Sequence, residues 1–243
     1  MGFLFYYISV SLLNRKWKKK MDRRTTCLLF RFMRPHHFLT LMGFFTILSF
    51  VLGYAISVSL DKVHYLFPYI SDTGTTTPAS SYFGLCLNLS SVFAAISMYF
   101  RHSYLEKQPN VLSTRKLHIV NDVALFLGGL SAFGIMLVAN FQETSVLLLH
   151  LVGATMTFAL GNVYCWIHNY LTYVTRDAEG GRVKKIVILR VILSTFSTIC
   201  FFLTMIGANM ASSANGGKSV IHLKWTADQK VCQISLFQFV IVW

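Results

Sequence analysis

"FLTLMGFFTILSFVLGYAISVSL", residues 38–60, contains no Asp, Glu, Lys or Arg. An α-helix rises about 1.5 Å per residue and a bilayer core is about 30 Å thick, so a stretch of this length and character spans a membrane as one helix. Four more apolar runs follow at 83–100, 117–139, 145–167 and 186–210, with Asp122 and Arg190 their only charged residues of these types. Composition agrees. The chain is 54% hydrophobic and 13% charged, against about 25% charged in a typical soluble domain. Its mean hydropathy is +0.55. Twenty-one phenylalanines suit lipid-facing helices.

The fold class that follows is all-α: a polytopic membrane helix bundle with five complete spans and a truncated sixth, the apolar run 231–243. The chain divides into a basic extension, 1–37, and a single bundle, 38–243. The connections 140–144 and 101–116 are short, which makes the helices they join antiparallel neighbours.

Lys and Arg give the expected orientation, because positive charge is retained on the cytosolic side. Nine lie before the first span, one (Lys62) in the next connection, four in 101–116, none in 140–144 and four in 168–185, with Arg190 just inside the fifth span. This pattern puts the N-terminus in the cytosol and the 61–82 connection in a lumen or outside the cell. The net charge of +13 then sits beside a bilayer, so membrane lipid with anionic headgroups, and not nucleic acid, is the expected partner. The N-terminal "GFLFYYISVSLL" precedes its basic cluster, the reverse of a signal peptide. It reads either as a basic patch on the membrane surface or as an extension upstream of a start at Met21 or Met33.

Cys27, Cys86, Cys165, Cys200 and Cys232 are scattered singly, and the eight histidines form no HxxxH or HExxH pair. No metal, cofactor or catalytic residue is expected from these patterns. Ionisable or amide groups within spans are candidate sites by default. Asn88, Asp122 and His150 head that group, with Ser90, His118 and Asn121 beside them. Asp72 or Asp122 with a histidine could form an acid/base pair in a lipid hydrolase. The structural alternative is hydrogen bonding between helices. Gly153, Thr157 and Gly161 recur every four residues, a small-residue face that lets a second helix approach closely. Gly128 and Ala132 do the same on the third span. Such faces could also seat a partner protein or a second copy.

The connection "FPYISDTGTTTPASSYFG", residues 67–84, is rich in turn formers. Ser71 and Asp72 ahead of Thr73 and Gly74 favour an Asx- or ST-type turn with Gly74 at positive φ, and Pro78 pushes its predecessor towards extended backbone. A rigid cap over the helix ends is the expectation. Ser71 has no local base.

This stretch resembles the signature of the damage-regulated autophagy modulator (DRAM) family, in which Pro-Tyr/Phe-Ile-Ser-Asp-Thr-Gly-Thr followed by a proline links the first two of six helices. The resemblance continues through "LCLNLSS", "VANFQETSVLLLHLVGATMTFALGNVYCW" and "HLKW", over about residues 38–230. It extends to a wider group with the transmembrane-150 proteins and GPI-anchor remodelling factors. It implies Pro68, Tyr69, Ile70, Ser71, Asp72, Thr73, Gly74 and Pro78 as signature positions, with no catalytic role to transfer. It also implies a multi-pass lysosomal or late endosomal protein that modulates autophagy without catalysis, in some members in response to DNA damage, through membrane lipids or autophagy proteins. The alternative is a lipid-handling protein of the Golgi or plasma membrane tied to GPI-anchor or phosphoinositide metabolism. The chain departs from the family in its longer basic N-terminus and in its end at Trp243. A bundle with an incomplete sixth helix is expected to be less stable than one with a full span.

Overall fold

The side chains sort by size more than by polarity. Ser49, Ser57, Ser90, Ser91 and Ser97 are buried, while Phe44, Ile47, Phe126, Leu148 and Ile188 are exposed. In water this order would be inverted. In lipid the tails are as apolar as Phe or Ile, so burying large apolar side chains gains little and small residues that let backbones close together go inside.

A computed structural model describes residues 35–65, 68, 70–107, 112, 114–175 and 183–214, with side chains of the last segment described over 187–207. Its elements are α1 (Pro35–Ser59), the short α2 (Ile70–Thr73), α3 (Ala79–Glu106), α4 (Arg115–Asn140), α5 (Leu147–Thr155), a π-helical segment (Met156–Leu160), α6 (Gly161–Val174) and α7 (Val183–Ala214). No strand occurs among the described residues. Five helices are long and apolar enough to cross a membrane, with α5, the π segment and α6 forming one of them, Leu147–Val174. The chain is a polytopic helical membrane protein. The N-terminal segment 1–34, Tyr69 and the expected partial span 231–243 lie outside the described residues.

The spans pack in chain order: α1 on α3, α3 on α4, α4 on the α5–π–α6 span, and α7 on α6. Short connections dictate this arrangement. Each helix runs opposite to the last, so the chain has two ends: the signature end, where α1 finishes and α3 begins, and the basic end, where α3 finishes and α4 begins.

Asp61 ends α1. At φ 52° it takes the left-handed conformation, its N–H donates to the Val58 carbonyl (3.0 Å), and the Lys62 N–H donates to that of Ser57 (2.8 Å). This is a Schellman closure, in which Asp stands where Gly is commonest. Gly74, expected at positive φ, does not adopt it. Ile70–Thr73 instead form one helical turn, and Gly74 is needed for space: a Cβ there would lie 2.6 Å from the Phe83 ring. The Thr77–Pro78 peptide is cis.

The fourth span departs from the expected uninterrupted helix. Its π segment inserts a wider turn at Met156–Leu160, a feature found mostly as single turns within α-helices and often at functional sites.

Candidate functional site

At the signature end, hydroxyls tie the loop to the helices beneath it. Ser57 Oγ donates to the Thr73 carbonyl at 2.7 Å, Thr73 Oγ1 to that of Ile70 at 2.7 Å, and Thr75 Oγ1 to that of Asp72 at 2.8 Å. Ser49 Oγ donates to the Phe83 carbonyl at 3.1 Å. Gly53 lets α1 pass close to Thr73 and Phe83, where an added Cβ would meet atoms at 3.2 Å. Asp72 is 1% exposed, so the centre of the signature is an interior carboxylate. Thr73 and Gly74 are buried with it, Pro68, Ile70 and Ser71 are half-buried, and Pro78 is exposed.

Asn88 and Asn140 face each other across α3 and α4 as a reciprocal amide pair, with bonds of 3.1 and 2.9 Å, and Asn140 also donates to the Met136 carbonyl at 2.7 Å. His150 Nδ1–H donates to the Phe141 carbonyl at 2.8 Å, and its Nε2 lies 3.9 Å from Glu143 Oε2. His150 thus braces the 140–146 turn. Asp122 lies at the basic end, eighteen residues and about 27 Å of helix from Asn140, so it shares no site with His150.

The mid-bundle contact is closer. An added Cβ on Gly134 would meet the Gly153 carbonyl at 2.6 Å and Thr157 Oγ1 at 2.7 Å; one on Gly153 would meet Leu137 Cβ at 2.7 Å. Ser131 Oγ donates to the Thr157 carbonyl at 3.0 Å, and Gly161 lies against Ser131. Gly153, Thr157 and Gly161 therefore face α4 within the same chain.

The basic end holds what sequence reading did not assemble. Arg101 and Arg190 are 3% and 2% exposed, and both donate to Thr172 Oγ1, from α3 and α7 onto α6. Buried His168 and Asn169 lie on α6 nearby, with Asn169 Nδ2 donating to Ser194 Oγ at 2.9 Å. Thr172 returns its own hydrogen to the His168 carbonyl at 2.6 Å. A guanidinium in a membrane-facing interior is costly unless its donors find acceptors, so three helices are fixed to one another through Thr172. No carboxylate forms an ion pair with Arg101 among the described residues. Sequence places Arg190 just inside the fifth span but counts Arg101 in the 101–116 connection; α3 runs on to Glu106 and carries Arg101 into the bundle.

Beside this cluster, α3 and α4 exchange two crossed pairs. His102 Nε2–H donates to Asp122 Oδ1 at 2.8 Å, and His118 Nδ1–H to Glu106 Oε2 at 2.7 Å. Asn121 Nδ2 donates to Glu106 Oε1 at 3.0 Å. Asp122 is exposed, and the histidine it meets is His102.

A bundle of small-residue contacts closed by a buried signature loop at one end and a buried arginine cluster at the other defines a polytopic helical membrane protein with polar anchors at both faces. The Frag1/DRAM/Sfk1/Cwh43P N-terminal domain family matches residues 36–223, and the chain belongs to that family. It is 30% identical to DNA damage-regulated autophagy modulator protein 2 of Bos taurus, over 76% of this chain and 68% of the relative. It is 38% identical to DNA damage-regulated autophagy modulator protein 1 of Homo sapiens over 51% and 52% of the two chains, and 38% identical to the modulator of macroautophagy TMEM150B-B of Xenopus laevis over 53% and 54%. No solved structure matches.

Proposed function

We propose that this chain is a multi-pass modulator of autophagy in lysosomal or late endosomal membranes, its N-terminus in the cytosol, working without catalysis through contacts with lipids or autophagy proteins. The observation that carries the reading is membership of a family whose matched relatives are named autophagy modulators. Supporting it, Asp72 is buried, and hydroxyls of the signature end donate to backbone carbonyls. The orientation rests on the loop charges.

The test is autophagic flux, measured as inhibitor-sensitive turnover of an autophagosome marker in cells lacking or overproducing the chain, with its overlap on lysosomal markers scored in the same cells. Flux that follows chain level at lysosomes is the expected result. Unchanged flux overturns the reading. Asp72→Asn should lower the amount of folded protein; full abundance with lost activity would instead indicate chemistry at the loop.

A second reading, a lipid-handling scaffold of Golgi or plasma membrane, is favoured by one observation. The family model that matches residues 36–223 is named for Frag1, Sfk1 and Cwh43P as well as for DRAM. Golgi or plasma-membrane location would favour it.

A further inference from the structure

The crossed pairs at the basic end use four residues in two identical spacings: His102 and Glu106 on α3, His118 and Asp122 on α4, each one helical turn apart. Because the helices are antiparallel, each histidine meets the other helix's carboxylate. One ligand-capable atom each from His102, Glu106 and Asp122 lie within 4.8 Å of one another. We infer that His102, Glu106 and Asp122 form a binding site for a divalent transition-metal ion of the zinc type, which clips the basic ends of α3 and α4 together.

Three observations support it. The first is charge: two carboxylates and a neutral imidazole carry two negative charges, which a divalent ion balances. An ion there would replace the 2.8 Å hydrogen bond between His102 Nε2 and Asp122 Oδ1 and release its proton. The second is the support around Glu106. Asn121 holds Oε1 and His118 holds Oε2, while each carboxylate oxygen keeps a further lone pair for a metal. Partners of this kind orient a ligand and raise metal affinity.

The third is access. The Asp122 side chain is 65% exposed and that of His102 17%, so the cluster opens to the surface near the basic end of the bundle and leaves room for water in an ion's remaining positions. Tetrahedral zinc at about 2.0–2.1 Å from its ligands puts them about 3.3 Å apart. His102 Nε2 and Asp122 Oδ1 already stand 2.8 Å apart, so side-chain rotations of about 1–2 Å bring the three donors to that spacing. The imidazole disfavours magnesium and calcium, which take oxygen ligands, and suits zinc, copper or nickel-like ions.

The experiment uses the full chain in lipid nanodiscs, stripped with a chelating resin, then dialysed against buffered zinc and assayed for bound metal by mass spectrometry, with Co²⁺ as a spectroscopic probe. The expected result is one ion per chain, lost by His102→Ala and weakened at least tenfold by Asp122→Asn, while Glu143→Gln at the opposite end changes nothing. Asp122 is exposed and Asn keeps its shape, so this variant remains folded and a monodisperse elution profile verifies it. A monodisperse wild-type chain that retains no zinc overturns the site, as does equal binding by a folded Asp122→Asn chain.

Discussion

Gly134→Ala adds one methyl at the closest helix contact, and its effect can be worked from the structure. The new carbon would stand 2.6 Å from the Gly153 carbonyl oxygen, 2.7 Å from Thr157 Oγ1 and 2.8 Å from the Thr157 backbone nitrogen. Two of these are main-chain atoms that no rotamer change can move. Relief takes a shift of about 0.7 Å between α4 and the fourth span, since carbon normally sits about 3.3–3.6 Å from a carbonyl oxygen. Overpacking of this kind costs about 1–3 kcal/mol. The same shift stretches the Ser131–Thr157 hydrogen bond, now 3.0 Å, and interhelical bonds in membranes average about 0.6 kcal/mol. Set against up to about 1 kcal/mol gained in helix propensity, the expected net loss is about 1–3 kcal/mol. Gly129→Ala is the matched control. An added Cβ there has nothing within 4 Å, so the substitution is neutral or gains up to about 1 kcal/mol of helix propensity. Thermal unfolding in detergent, followed by the fraction that stays monodisperse, should rank Gly129→Ala at or above wild type and Gly134→Ala well below it. Equal midpoints for the two alanine variants would refute the close contact.

Three further outcomes follow from the same geometry. Thr172→Val removes the acceptor shared by Arg101 and Arg190 and should cost about 3 kcal/mol, because hydrogen bonds to charged groups contribute about 1.5–3 kcal/mol each; Thr172→Ser should restore stability in the same unfolding assay, and failure of that rescue counts against the shared acceptor. Asn88→Ala and Asn140→Ala should each lower stability by about 1 kcal/mol, and the double variant by less than the sum, as a double-mutant cycle measures for a direct pair. Gly74→Ala should reduce the yield of folded protein through its clash with Phe83, and Phe83→Leu in the same chain should recover part of it, read by size-exclusion fluorescence.

The candidate sites were unevenly legible in sequence. The signature loop could be seen because its residues are contiguous, yet its turn chemistry was misjudged: Gly74 serves contact with Phe83, and the left-handed residue is Asp61. The small-residue face at Gly153, Thr157 and Gly161 could be read from spacing, but its partner, Gly134 and Ser131 on α4, could not. Asp122 stands out in sequence as a candidate partner for a histidine, but that the histidine is His102 depends on two helices and their relative rotation.

By itself the sequence determined the number and approximate place of the described spans, because a bilayer enforces a simple rule: backbone polar groups in lipid must be satisfied within a helix about twenty apolar residues long. That rule is local and reads directly from hydropathy. Only the tertiary structure decided which polar residues face one another. In lipid no strong hydrophobic force assigns an inward face, so packing of small residues sets the rotation of each helix. That rotation brings Arg101, Thr172 and Arg190 together from three helices and turns His102 and Glu106 towards Asp122 and His118.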